Sequence, residues 1–156
     1  MHKWVRLCGA ALFSFALGSG SAMAAETAAL YNTYCALCHQ AAGAGATAQF
    51  PRLAGRVGAI AADPKGRAYL VQVVHNGLSG TIVVDGTALT GVMPPQTLTP
   101  DEVARILNYL LALPPTPHSH SKPFTAAEIS SLAAGSKSRD ELLAERKALV
   151  DARVIP

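Results

Sequence analysis

The sequence predicts an all-α domain of three main helices, with a small hairpin-like loop between the second and third and a helical extension at the C-terminal end. Three observations carry this. Apolar residues recur at helical spacing around residues 26–38, 66–74 and 99–113. Helix-start signals stand at Thr99-Pro100-Asp101-Glu102, at Thr125 with Glu128 and at Ser138 with Glu141. Alternation suited to strands is confined to residues 81–89, enough for one isolated two-stranded ribbon.

Taken in order, residues 1–24 open with Lys3 and Arg6 and continue apolar from Leu7 to Leu17. That run is shorter than the roughly 20 residues a membrane span needs, and Ala22-Met23-Ala24 offers the small-x-small site of a signal peptidase. The segment is read as a secretory signal peptide cleaved after Ala24, an uncleaved anchor being the alternative. Cleavage takes Cys8 with it and removes Lys3 and Arg6 from the 13 basic residues, leaving eleven against 10 acidic. Near-neutrality and the absence of a basic run argue against a nucleic-acid partner. Nothing after Ala24 is long and apolar enough to span a bilayer, so an exported soluble product is expected.

Residues 25–113 form the predicted domain. Its first helix spans about residues 26–38, with Leu30, Tyr31 and Tyr34 on one face. Residues 41–56, rich in Gly and Ala, are expected as loop. A second helix follows Pro64-Lys65 and stops at Asn76-Gly77. Asp85-Gly86 between β-branched residues predicts a type I′ hairpin turn, and the ribbon is expected to wall the site. The third helix starts at Thr99, carries Val103, Ile106, Leu107, Leu110 and Leu111 on one face, and ends before Pro114. Residues 114–123, PPTPHSHSKP, are a proline-rich linker by composition. Residues 124–156 hold two short helices parted by Gly135, which must pack on the domain or on a partner because such helices are marginal alone.

The chemistry concentrates in Cys35-Ala36-Leu37-Cys38-His39, where two thiols stand three positions apart with an imidazole directly behind the second. A redox dithiol is one reading, but it wants a βαβ frame that the pattern lacks. Zinc is another, but a second ligand pair at metal spacing is missing, His118 and His120 lying far downstream. The reading that uses all three residues is covalent attachment of one haem: residues three apart on a helix share a face, so both thiols can reach one porphyrin edge and His39 can ligate the iron. Met93 is the only methionine after Ala24 and lies in the loop Gly91-Val92-Met93-Pro94-Pro95, which makes it the candidate second axial ligand. His75, at a helix end, competes for that role.

Those residues, with Phe50-Pro51-Arg52-Leu53-Ala54-Gly55 and the helix ending Ile106-Leu107-Asn108-Tyr109-Leu110, resemble in that order the small monohaem class I cytochromes c of bacterial periplasms. The likeness covers about residues 25–113. It implies a cytochrome c-like fold around one covalently bound haem c, thioether bonds at Cys35 and Cys38, and axial ligation by His39 and Met93. It also implies that the Pro51 carbonyl accepts the second ring nitrogen of His39, and that Tyr31 and Tyr109 meet where the first and last helices cross. Thr27 stands where the family usually has a glycine, and Gln40 where glycine is common. GTIVVDGTALTGVMPP is similar to cytochrome subunits that serve periplasmic dehydrogenases and respiratory reductases.

The expected function is therefore periplasmic electron transfer between a donor and an acceptor protein, without enzymatic turnover. The rivals are a haem enzyme or gas sensor with an open distal site, and a fixed cytochrome subunit of a larger complex. Val71, Val74, Ile82, Leu89, Leu107 and Leu110 are candidates to line a dry haem pocket.

Overall fold

The computed structural model describes residues 19–114 and 121–156. Along the chain come α1 (Ser19–Tyr34), the single turn α2 (Ala36–His39), α3 (Arg56–Ala61), α4 (Pro64–Asn76), β1 (Leu78–Val84), β2 (Thr87–Met93), α5 (Pro100–Ala112), α6 (Ala126–Ala133) and α7 (Arg139–Asp151). Most of the predicted signal segment and residues 115–120 of the predicted linker, including His118, lie outside the described residues, as do Cys8 and His120.

Local chemistry sets most helix starts. Asp63 caps α4, its side chain accepting from the Lys65 and Gly66 amides with Pro64 in the first turn. Thr99 and Glu102 form a reciprocal capping box on α5, and Ser138 and Glu141 another on α7. At α6 the box is only half made. Thr125 accepts from the Glu128 amide, but the Glu128 carboxylate is taken by Arg67 of α4 at 2.8 Å. A charge-assisted pair across elements outcompetes a local neutral donor.

The fold is mostly helical but not strictly all-α. The predicted hairpin is a regular antiparallel ribbon, longer than residues 81–89, in register from Leu78 opposite Met93 to Val84 opposite Thr87. Asp85 (φ 50°) and Gly86 (φ 76°) both take left-handed backbone, the turn whose twist matches paired strands. Helix α3 is a second departure, since six residues are too few for periodicity to announce them. A third is a break between α1 and α2 at Cys35 (φ −120°), where one continuous helix was expected.

Two apolar cores hold the chain. The first joins Tyr31 of α1, Val57 and Ala61 of α3, Val71 of α4, and Val103, Ile106, Leu107 and Leu110 of α5 to Phe124 and Ile129 of the extension. The second joins Ile60, Tyr69 and Leu78 to Leu142 and Leu149 of α7 and to Ile155. The extension therefore packs on the domain through its apolar faces. Asn108 fixes its start by bonding both main-chain groups of Phe124, at 2.9 and 2.7 Å, while Arg67 lies over the Phe124 ring at 3.7 Å.

Candidate functional site

After the break at Cys35 the chain makes one turn, with the Cys38 and His39 amides both donating to the Cys35 carbonyl. This turn carries both thiols, half-buried and unpaired, and leaves Leu37 between them 86% exposed. Burial, then the neighbouring Cys38, pushes the Cys35 thiol up to about 11.

His39 ends the turn and is 8% exposed. Its Nδ1 donates to the Pro51 carbonyl at 2.9 Å, and burial outweighs that bond in lowering the ring's affinity for a proton, so the imidazole is held neutral. Among the described residues Nε2 makes no hydrogen bond, leaving its lone pair for another group.

Backbone geometry explains why Pro51 comes to His39. The Gly45 amide donates to the His39 carbonyl at 2.8 Å, and Ala46 and Phe50 bridge to each other, closing a loop that brings residue 51 back. Gly45 has φ +72°, and a Cβ there would lie 2.6 Å from the Arg52 amide nitrogen, so only glycine permits the approach.

Met93 is the last residue of β2 and is half-buried. The sequence places it in a rigid loop fixed by glycine and prolines; in the structure it is the end of a strand, pairing with Leu78, and its side chain packs against the second core. The backbone beyond it is pinned to the end of α4, where the Gln96 amide donates to the Val74 carbonyl at 2.9 Å. Gly77 touches the Met93 carbonyl so closely that a Cβ would lie 2.4 Å away. His75 is exposed on the last turn of α4. His118 and His120 fall outside the described residues.

A cavity of about 160 Å³ opens between the loop and the hairpin, lined among others by Phe50, Pro51, Arg52, Val84, Asp85 and Leu89. Of the expected apolar lining, Leu89 borders it. Val71, Leu107 and Leu110 are buried in the first core with Val74 against it, and Ile82 packs against the second.

Beside the cavity lies a charged group that the spacing of the sequence does not signal. Asp85 at the hairpin tip accepts from Arg52 at 3.0 and 3.1 Å and from the buried Arg56 at 2.8 Å. The hydrogen bond from Arg52 and the charge of Arg56 hold its carboxyl below the usual range.

These features bear on the three readings of the cysteine motif. A redox dithiol needs a depressed thiol pKa and a βαβ frame, whereas Cys35 is raised and the sheet is a lone antiparallel pair. Zinc needs about four ligands, and among the described residues no cluster of three or more His, Cys, Asp or Glu could hold a metal. An iron porphyrin suits what this turn offers, two free thiols and a neutral imidazole with Nε2 open.

Comparison with known proteins points the same way. Residues 22–110 match the family described as cytochrome c oxidase, cbb3-type, subunit III. The chain is 39% identical to a cytochrome c-552 of Thermus thermophilus over 141 residues, covering 88% of this chain and 95% of that one. It is 40% identical over 128 residues to another cytochrome c-552 of Thermus thermophilus, covering 80% and 97%. Because the longer stretch exceeds residues 1–110, the likeness continues into the extension. Likeness over this much of the chain, added to the two thiols and the oriented imidazole, shows that the protein belongs to the monohaem c-type cytochromes, electron-transfer proteins with covalently bound haem c.

Proposed function

We propose that the protein is an exported single-electron carrier in which Cys35 and Cys38 hold the haem by thioether bonds, and His39 and Met93 are its axial ligands. When bound, the haem supplies a one-electron couple at its iron. His39 presents Nε2 because the Pro51 carbonyl holds Nδ1–H at 2.9 Å, which sets the ring's orientation and raises its donor strength. This bond is the observation that carries the reading. Met93 would supply the second ligand, and its soft sulfur would favour the reduced state. With both ligands supplied by this chain's own side chains no place would be left for a substrate, and the role would be transfer without turnover.

Partners dock at the turn bearing the cysteines, where Leu37 is 86% and Tyr34 43% exposed. A donor and an acceptor, of the kind of a periplasmic dehydrogenase or reductase, use this edge in turn through a small transient interface. Cleavage after Ala24 falls inside α1, so the exported form keeps residues 25–34 of that helix. No described helix is long and apolar enough to cross a membrane.

Mass and absorption spectra of the purified exported protein test this. The expected product carries one haem, lost in the Cys35→Ser, Cys38→Ser double variant, and its ferric sulfur-to-iron band disappears in Met93→Ala but not in His75→Ala. A high-spin ferric spectrum, or rapid carbon monoxide binding to the parent, would instead favour an open-site enzyme or sensor.

A second reading, a fixed subunit of a larger redox complex, is favoured by the oxidase subunit for which the matching family is described. Against attachment through the extension, Ile129, Leu142 and Leu149 face this chain's own cores, at 2%, 0% and 5% exposure. Recovery of the protein only in a large detergent-solubilised complex, never free, would decide for the subunit.

A further inference from the structure

We propose that α7 is a positioning element for the axial methionine: Leu142 and Leu149 hold the hairpin so that the Met93 thioether stays at the iron. This rests on the reading of Met93 as a ligand.

Met93 has two supports. One is local, the contact of its backbone with Gly77 and the bond from Gln96 to Val74. The other comes from far along the chain. Met93 pairs across the ribbon with Leu78, and both pack in the second core with Leu142, Leu149 and Ile155. An isolated two-stranded ribbon does not hold its own shape, and here α7 backs β1. The fit is close, since a Cβ on Gly80 would lie 2.7 Å from the Leu143 Cδ2. Arg146, 7% exposed, ties the same helix to the ribbon by donating to the Val83 carbonyl at 3.1 Å, and to Tyr69 Oη at 3.5 Å. From α3, Arg56 donates both to Asp85 at the ribbon's tip and to the Pro156 main-chain oxygen beyond α7.

Both ends of the ribbon are thus braced by the extension. By contrast α6, with Ile129, packs in the first core, to which neither Met93 nor its strand partner Leu78 belongs. The two halves of the extension therefore have separable consequences. Loosening α7 shifts the population toward a ribbon that has swung away from the iron, whereas loosening α6 lowers stability without that shift.

The experiment uses the full haem-loaded protein and carbon monoxide, which binds reduced iron only when the methionine leaves. Leu142→Ala should raise the carbon monoxide binding rate about tenfold and lower the midpoint potential, as a tenfold larger open population requires. Ile129→Ala, a similar truncation in the other core, should stay within about twofold of the parent. Leu149→Val serves as a milder variant if Leu142→Ala fails to hold its haem, with about a threefold rise expected. Met93→Ala sets the fully open limit. Equal rises in the α6 and α7 variants, or no rise in the α7 variants while Met93→Ala binds fast, overturn the proposal. If Met93→Ala itself binds no faster than the parent, Met93 is not the ligand and both readings fall.

Discussion

The Nδ1 of His39 lies 2.9 Å from the carbonyl oxygen of Pro51, twelve residues further along the chain. Because the acceptor is main chain, the bond depends on loop path more than on the proline side chain. Gly45→Ala should disturb it most, since the new Cβ would meet the Arg52 amide nitrogen at 2.6 Å with the backbone already at φ +72°. The expected cost is about 2–3 kcal/mol, read by denaturant unfolding, with a shifted proximal-histidine signal in the NMR spectrum. An unchanged signal would mean that the loop does not set the imidazole.

Tyr31 is fully buried and donates to the Gln40 carbonyl at 2.9 Å, and its ring meets Tyr109 at 5.0 Å where α1 crosses α5. Tyr31→Phe keeps the ring contact and removes only the hydroxyl, so about 1 kcal/mol should be lost. Tyr31→Ala should cost about 3–5 kcal/mol. Thermal denaturation of the two variants separates the contributions; equal losses would show that packing at the crossing is not what matters.

Asp85 carries a depressed pKa, from its hydrogen bond with Arg52 and the charge of Arg56. A carboxyl depressed on folding contributes stability above its unfolded value, about 3.9, and that contribution is lost as pH falls through the lower folded value. Asp85→Asn should therefore cost about 0.5–1 kcal/mol near pH 7, solvent screening at this exposed tip keeping the loss small, and the gap between parent and variant should close in strong acid. A gap that stayed constant from pH 7 down to pH 2 would contradict the ion pair as its source.

With the proposed cleavage after Ala24 leaving eleven basic residues against 10 acidic ones, and with Leu37 exposed at the cysteine turn, partner docking should depend only mildly on salt. The bimolecular electron-transfer rate should change less than about tenfold between low and physiological ionic strength. A hundredfold fall, measured by stopped-flow, would point to a charged interface.

Much of this protein is legible in its sequence because the signals are local. Cys35, Cys38 and His39 point to haem attachment by their spacing, read together with the absence of any other cysteine after Ala24. Thr99 with Glu102 and Ser138 with Glu141 cap their helices as read, since each cap joins groups three residues apart. Asp85-Gly86 makes its turn through the φ values of its own two residues. The Glu128 carboxylate escaped its expected box because Arg67, distant in sequence, is the better partner.

What the tertiary structure alone decided lies between residues far apart. Pairing Arg56 with Asp85, seating Met93 on the second core and turning the apolar faces of α6 and α7 onto the domain all required segments to meet in space. A sequence states which side chains are apolar or charged, and so which must find partners. Which partners they find depends on how the loops close and how the cores fill, a balance of chain entropy against buried surface that no short stretch contains.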